Sequence, residues 1–383
     1  MIDTISIEID TKKYLKLTDF ERISVAKMVE QHNDKSMPKH QTYVLIRWPE
    51  DIEATGAYLP RVEYMDYPNP IGGGVYGRCY RYRITFSVPK LLYGNNISEL
   101  TEKQFDEVVR LLHSKLVFLA LPTDITENDI KQSIVRRVDF GKNIILPKSS
   151  SMRLIGEMLM KAEHERRSKY SQVQYRNGDL YRENIKERAL IVYNKIAEYC
   201  SAKKELTSDI DKRIMALNKN KETQVIRLEI QVQSTQQLKR ELTMLGYEDI
   251  NATKLKDIFS GELSQRLLLR YWDKITKGIT LDNRNLGPQH LPDLFVDIVS
   301  CNKNCGPQKI FAKLGFALLN SECGLGKIKE LYEDYFNAGS WSRTKLALLD
   351  NHSGHSTYGD IQRITEVLEN IKPISIEEVA YGK

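Results

Sequence analysis

The chain has 383 residues, 41% hydrophobic and 28% charged, the balance of an ordinary globular protein with room for two or three domains. No run approaches the roughly 18 apolar residues a membrane span requires, and the alternating, acid-bearing stretch from Met1 to Asp10 is no signal peptide. Five cysteines at uneven spacing argue for a reducing cytoplasm rather than a disulfide framework, and the lone Cys301-x-x-x-Cys305 has no second pair to complete a metal site. The formal net charge is +6, and it is unevenly placed: Lys131 to Leu245 holds 24 Lys and Arg against 14 Asp and Glu, whereas the rest holds 33 against 37. Such a basic block attracts a phosphate backbone, or is simply a solvated basic surface; charge alone does not separate the two.

In chain order, Ile5, Ile7 and Ile9 alternate with Ser6 and Glu8, the period of a half-buried strand. Tyr43 to Trp48 and Tyr80 to Val88 predict further strands. Gly72-Gly73-Gly74 lacks the lysine and strand–helix setting of a phosphate loop and reads as a hairpin turn or flexible loop. Thr101 to Leu119 predicts an amphipathic helix with Phe105, Val108, Val109, Leu112 and Leu116 on one stripe and a Thr101/Gln104 capping box. A helix is expected over Ser151 to Arg167. From Thr235 the pattern becomes helical, with separate helices expected over Gln308–Leu319 and Lys327–Phe336 and a break at Asp282–Pro292.

The middle of the chain carries the chemistry. Three strands are expected, Ile134 to Phe140, Ala189 to Lys195 and Val225 to Val232. Strand side chains alternate, so Arg137 shares a face with Asp139, Tyr193 with Lys195, and Arg227 with Glu229, each backed by an apolar face. On one sheet these residues form either solvated cross-strand ion pairs or a site for phosphoryl transfer. In the second reading, carboxylates hold a hard divalent cation. Lys195 helps the Tyr193 phenol ionise, and Arg137 and Arg227 stabilise charge on the phosphate.

At these residues the chain resembles the gene II replication proteins of filamentous phages and the wider superfamily of replication initiators that nick DNA with a tyrosine. The resemblance rests on the opening Met1-Ile-Asp-Thr, on Pro89 to Gly94, on Arg137-x-Asp139, on Tyr193-x-Lys195-x-x-Glu198 and on Arg227-x-Glu229, with weaker likeness around Glu322 to Leu349. It implies a site-specific nick at the replication origin of a small circular genome. Tyr193 would be the nucleophile and Lys195 its close partner, the tyrosine would be joined to the 5′ phosphate, and a 3′ hydroxyl would be left for the host polymerase. It implies Asp139 and Glu229 as ligands of Mg²⁺ or Mn²⁺, with Glu198 a weaker third. The expected partners are origin DNA, single-stranded or supercoiled, with a host helicase and polymerase, and no membrane. The histidine–hydrophobic–histidine strand that many tyrosine nickases use is missing, so metal binding would rest on carboxylates.

Two rivals compete. His164-x-x-Arg167 spells a tyrosine-recombinase motif, but those enzymes place their residues on helices and Tyr193 lies in a strand pattern. A non-catalytic DNA-binding regulator of the same fold would use the basic block and Tyr170, Tyr175 and Tyr181 for single-strand stacking; Tyr181 is also the rival nucleophile. The expected fold is α+β: a mainly antiparallel sheet domain of the rolling-circle initiator type over residues 1–250, then an α-helical domain over 251–383. A helix–turn–helix with its turn at Ala338-Gly339 competes there with plain helical packing.

Overall fold

The computed structural model describes residues 1–11, 23–28, 41–47, 58–72, 75–119, 125–146, 155–156, 159, 180–185, 187–202, 208–220, 224–247, 253–276, 295–296, 298–299, 302, 304–336, 340–341, 343–344, 348 and 359–382. The chain opens with β1 (Ile2–Thr11), β2 (Ile23–Met28), β3 (Gln41–Arg47), β4 (Arg61–Gly72) and β5 (Val75–Ser87), then α1 (Val88–Tyr93), α2 (Phe105–Phe118) and α3 (Glu127–Gln132). The middle runs β6 (Ile134–Leu146), β7 (Leu180–Ile185), β8 (Arg188–Asn194), α4 (Lys195–Ala202), α5 (Asp209–Asn220) and β9 (Gln224–Val232). Helices follow: α6 (Thr235–Met244), α7 (Leu255–Ile258), α8 (Gly261–Thr276), α9 (Pro307–Tyr335), α10 (Gly359–Glu369) and α11 (Ile376–Tyr381). The strands hydrogen-bond in the order β2-β3-β4-β5-β1-β6-β9-β8-β7. The registered pairs from β2 through β6, and β7 with β8, are antiparallel. The class is α+β, as expected.

Packing divides the chain into two compact units: Met1–Asn143, Glu229–Leu267 and Pro373–Lys383 form the first, and Ile144–Leu228 with Leu268–Lys372 the second. The expected division at residue 250 follows chain order, whereas the units follow backbone pairing. The Val135 amide donates to the Thr253 carbonyl at 2.8 Å, Leu255 to Ser133 at 2.9 Å, and Glu99 to Ile374 at 2.8 Å. These bonds place α7 and the C-terminal segment in the first unit.

In the first unit the Ile5–Ile7–Ile9 face of β1 is buried, and each isoleucine lies opposite a buried partner on β5: Phe86, Ile84 and Tyr82. Burial of each such side chain stabilises by about 1.5–3 kcal/mol. The α2 stripe Val108, Val109, Leu112 and Leu116 is buried as its spacing predicts, although its first turn is a tighter Glu102–Gln104 turn capped by the Gln104 side chain on the Thr101 amide at 2.9 Å. Pairing of β1 with β6 skips twice: Ile2 faces Phe140 and Thr4 faces Asp139, then Ser6 faces Arg137 and Ile7 faces Val135. Asp3 and Arg136 are the extra residues. A bulge shifts the alternation by one, which is how Val135 and Val138, three apart, are both buried.

In the second unit β7 and β8 form a hairpin with Leu180 opposite Tyr193 and Tyr181 opposite Val192. The two helices expected over 308–336 are one helix of 29 residues. Gly324 and Gly326 lie within it, since an interior glycine costs a helix only about 1 kcal/mol relative to alanine and does not forbid it. Among the described residues no helix is long and apolar enough to cross a membrane. His164, Arg167, Tyr170, Tyr175, Cys301, the Asp282–Pro292 break and the Ala338-Gly339 turn lie outside the described residues.

Candidate active site

Tyr193 is half-buried at the end of β8, where the strand emerges after four buried residues. The sequence reading continued the strand through Lys195, and the structure corrects this: β8 ends at Asn194 and Lys195 begins α4. The cause is local. The Asn194 side chain accepts the Ala197 amide at 2.9 Å, satisfying an N–H that a helix leaves open at its start. Lys195 therefore does not share a strand face with Tyr193, yet its ammonium lies 5.7 Å from the centre of the Tyr193 ring. Its side chain is 2% exposed, and Nζ donates to the half-exposed Glu198 Oε2 at 2.7 Å, one helical turn on. The Tyr-x-Lys-x-x-Glu pattern thus spans a strand-to-helix junction, and in general a buried cation beside a phenol favours the phenolate.

Tyr181 sits differently. Its position opposite Val192 puts it on the other face of the hairpin, and it is buried with its hydroxyl donating towards Glu183 at 3.4 Å. A hydroxyl so enclosed is poorly placed to meet a DNA strand. Tyr199 is bound to Asp211 at 2.7 Å, and burial together with that bond holds its phenol well above the ordinary value. Arg227 is buried on β9, whose residues from Val225 to Ile230 are all covered. A solvated polar face does not describe this strand.

In the first unit Arg137 grips Asp139 with two bonds, Nε to Oδ1 at 3.0 Å and Nη2 to Oδ2 at 2.7 Å. Both Asp139 and Glu229 are buried, and Gln231 donates to Glu229 Oε1 at 2.8 Å. The Asp139 carboxyl is pushed up to about 6. Burial is the largest cause; the Arg137 bonds pull the value back, and the negative charges of Glu229 and Asp3 push it further. Asp139 in turn raises Arg137. The structure brings Arg137, Asp139, Glu229 and Asp3 into one electrostatic group. Asp3 was missed from sequence because it occupies the bulge, where alternation fails.

Three carboxylates that repel one another have the chemistry of a hard-cation donor set. In this structure both Asp139 oxygens accept from Arg137. Among the described residues no group of three or more His, Cys, Asp or Glu side chains is placed to hold a metal ion.

A family model for the N-terminal part of a phage replication-associated protein, the gene II product, matches residues 1–246. The chain belongs to this family. It is a replication protein of the filamentous phage gene II type. The matched stretch holds every residue of both constellations, Arg137, Asp139, Tyr193, Lys195, Glu198, Arg227 and Glu229. Neither the comparison with curated proteins nor that with solved structures gave a match.

Proposed function

We propose that this family member is a site-specific, metal-dependent DNA endonuclease and strand transferase of the rolling-circle initiator type, which nicks a replication origin. Tyr193 is the nucleophile. Its oxygen bonds to the phosphorus, the bond from phosphorus to the 3′ oxygen breaks, and that oxygen leaves with a proton as the primer for a host polymerase. One phosphodiester replaces another, so no water is consumed and the energy of the bond is kept for rejoining. Lys195 favours the phenolate, Glu198 holds Lys195, and the half-exposed Arg137 offsets charge on a phosphate oxygen; the resemblance gives Arg227 the same role, but its burial on β9 argues against it. Asp139 and Glu229 would hold Mg²⁺ or Mn²⁺; Glu198, which the resemblance implies as a third ligand, is engaged by Lys195 instead. When bound, the cation would polarise a phosphodiester oxygen.

The observation that carries this reading is the buried Lys195 ammonium beside the half-buried Tyr193 ring. The test is a covalent adduct. Supercoiled DNA bearing the origin of the encoding phage is incubated with the full chain and Mg²⁺, and the adduct is mapped by mass spectrometry. Tyr193→Phe loses nicking and adduct, and Tyr181→Phe keeps both. An adduct on Tyr181, or full activity in Tyr193→Phe, overturns the assignment. A second reading, a non-catalytic DNA-binding regulator, draws on the Arg137 grip on both Asp139 oxygens; it predicts that the circle is bound and stays closed.

A further inference from the structure

On the polar face of β1, one carboxylate collects three arginines. Glu8 Oε1 accepts Arg83 Nε at 3.0 Å and Nη2 at 2.8 Å, and Oε2 accepts Arg81 Nη1 at 2.8 Å and Arg136 Nε at 2.7 Å. Burial by itself would raise the Glu8 carboxyl, and the bonds and charges of these arginines outweigh it and hold it below the ordinary value. We propose that Glu8, Arg81, Arg83 and Arg136 form a subsite for the backbone phosphates of single-stranded DNA, with Glu8 as the positioning residue. The proposal rests on the DNA-nicking reading above.

The layering supports it. The Glu8 side chain is 3% exposed, whereas Arg81, Arg83 and Arg136 are 21%, 41% and 40% exposed. The carboxylate is the floor and the guanidiniums are the surface. Each guanidinium carries five N–H donors, and the hydrogen bonds to Glu8, Asp10 and Thr235 engage two on each. The remaining donors suit the oxygens of a phosphate. Asp10 and Glu63 also draw on Arg81 and Arg83, but the Asp10 side chain is 72% exposed and Glu63 is held by Arg61 at 2.8 Å. Four arginines then face three carboxylates, and the cluster stays positive.

Position fits as well. Ser6 lies opposite Arg137 and Thr4 opposite Asp139, so the even-numbered side of β1 that carries Glu8 also carries the Arg137–Asp139 pair. The bulge at Arg136 turns an extra guanidinium onto Glu8. Arg81 and Arg83 lie outside the basic block of residues 131–245, so charge counting along the chain overlooks them.

The experiment is the salt dependence of binding of fluorescein-labelled oligothymidylate to the full chain, in chelator, with thermal unfolding run on every variant. Each phosphate contact contributes about 0.7 to the slope of log K against log salt for a single strand. Arg81→Gln and Arg83→Gln are therefore each expected to lower the slope by about 0.7. Glu8→Gln is expected to weaken binding although it adds positive charge, because the guanidiniums lose their anchor. Wild-type slopes in both arginine variants overturn the proposal, and so does tighter binding by folded Glu8→Gln. If Glu8→Gln fails to fold, the arginine pair decides alone. Lowered slopes in a protein that forms no covalent adduct would fell the nickase reading and leave the subsite; an adduct with unchanged slopes would do the reverse.

Discussion

Replacing Asp139 by asparagine should make the metal-free protein more stable at neutral pH while depriving it of activity. The Asp139 carboxyl has an ordinary value of 3.8 and sits at about 6 in the fold, chiefly through burial. That gap corresponds to about 3 kcal/mol by which the fold prefers the protonated over the ionised side chain. The sign follows from proton binding: the folded protein holds the proton more tightly than the unfolded chain. The stability contributed by Asp139 is therefore fully present below about pH 4 and is lost as pH rises through about 6. Asp139→Asn mimics the protonated form at every pH. At pH 7.5 it should gain up to about 3 kcal/mol, less whatever Arg137 loses in exchanging two carboxylate oxygens for one amide oxygen. Arg137 is 41% exposed, so water takes up part of that loss. Thermal unfolding in chelator at pH 4.5 and pH 7.5 measures it: the variant's advantage should be near its full value at the higher pH and fall to about a third of it at the lower. Mg²⁺ should then raise the melting temperature of wild type and leave that of the variant unchanged. A variant less stable than wild type at pH 7.5 would mean that the Asp139 charge is net favourable, and the burial reasoning would fail.

Two further outcomes are expected. Chelation should stop nicking, Mg²⁺ or Mn²⁺ should restore it, and Glu229→Gln should cut the rate while leaving DNA binding intact; nicking at full rate in excess chelator would end the metal proposal. Glu99 is the buried partner of the buried Lys142 at 2.6 Å, and the same Oε2 accepts the Ile374 amide at 3.1 Å. Glu99→Ala leaves that ammonium buried without its partner, a cost of about 3–5 kcal/mol, and should release the C-terminal segment to limited proteolysis near residue 373; an unchanged digestion pattern and melting temperature would refute the tie.

The sequence by itself determined those features that depend on near neighbours. The alternation of Ile5, Ile7 and Ile9, the apolar stripe of α2 and the pairing of Arg137 with Asp139 on one strand face all follow from fixed backbone periodicities, and all are present. The order of short motifs from Met1 to Glu229 sufficed to point to the family that matches residues 1–246. Lys195 was legible as a partner of Tyr193 but not as a helical one, because the Asn194 cap that ends β8 competes with strand continuation on nearly equal local terms.

Only the tertiary structure decided which charges are buried and which distant residues meet. A bulge places Asp3 beside Asp139, an event that periodicity cannot register because a bulge is defined by its partner strand. Glu8 meets arginines 73, 75 and 128 residues along the chain, and Glu99 meets an amide 275 residues away. A linear reading sees the sign of each charge but not its neighbours. Whether a carboxylate is an exposed ornament or a buried group pushed towards neutrality depends on desolvation and on charges brought close by packing, and packing is a property of the whole fold.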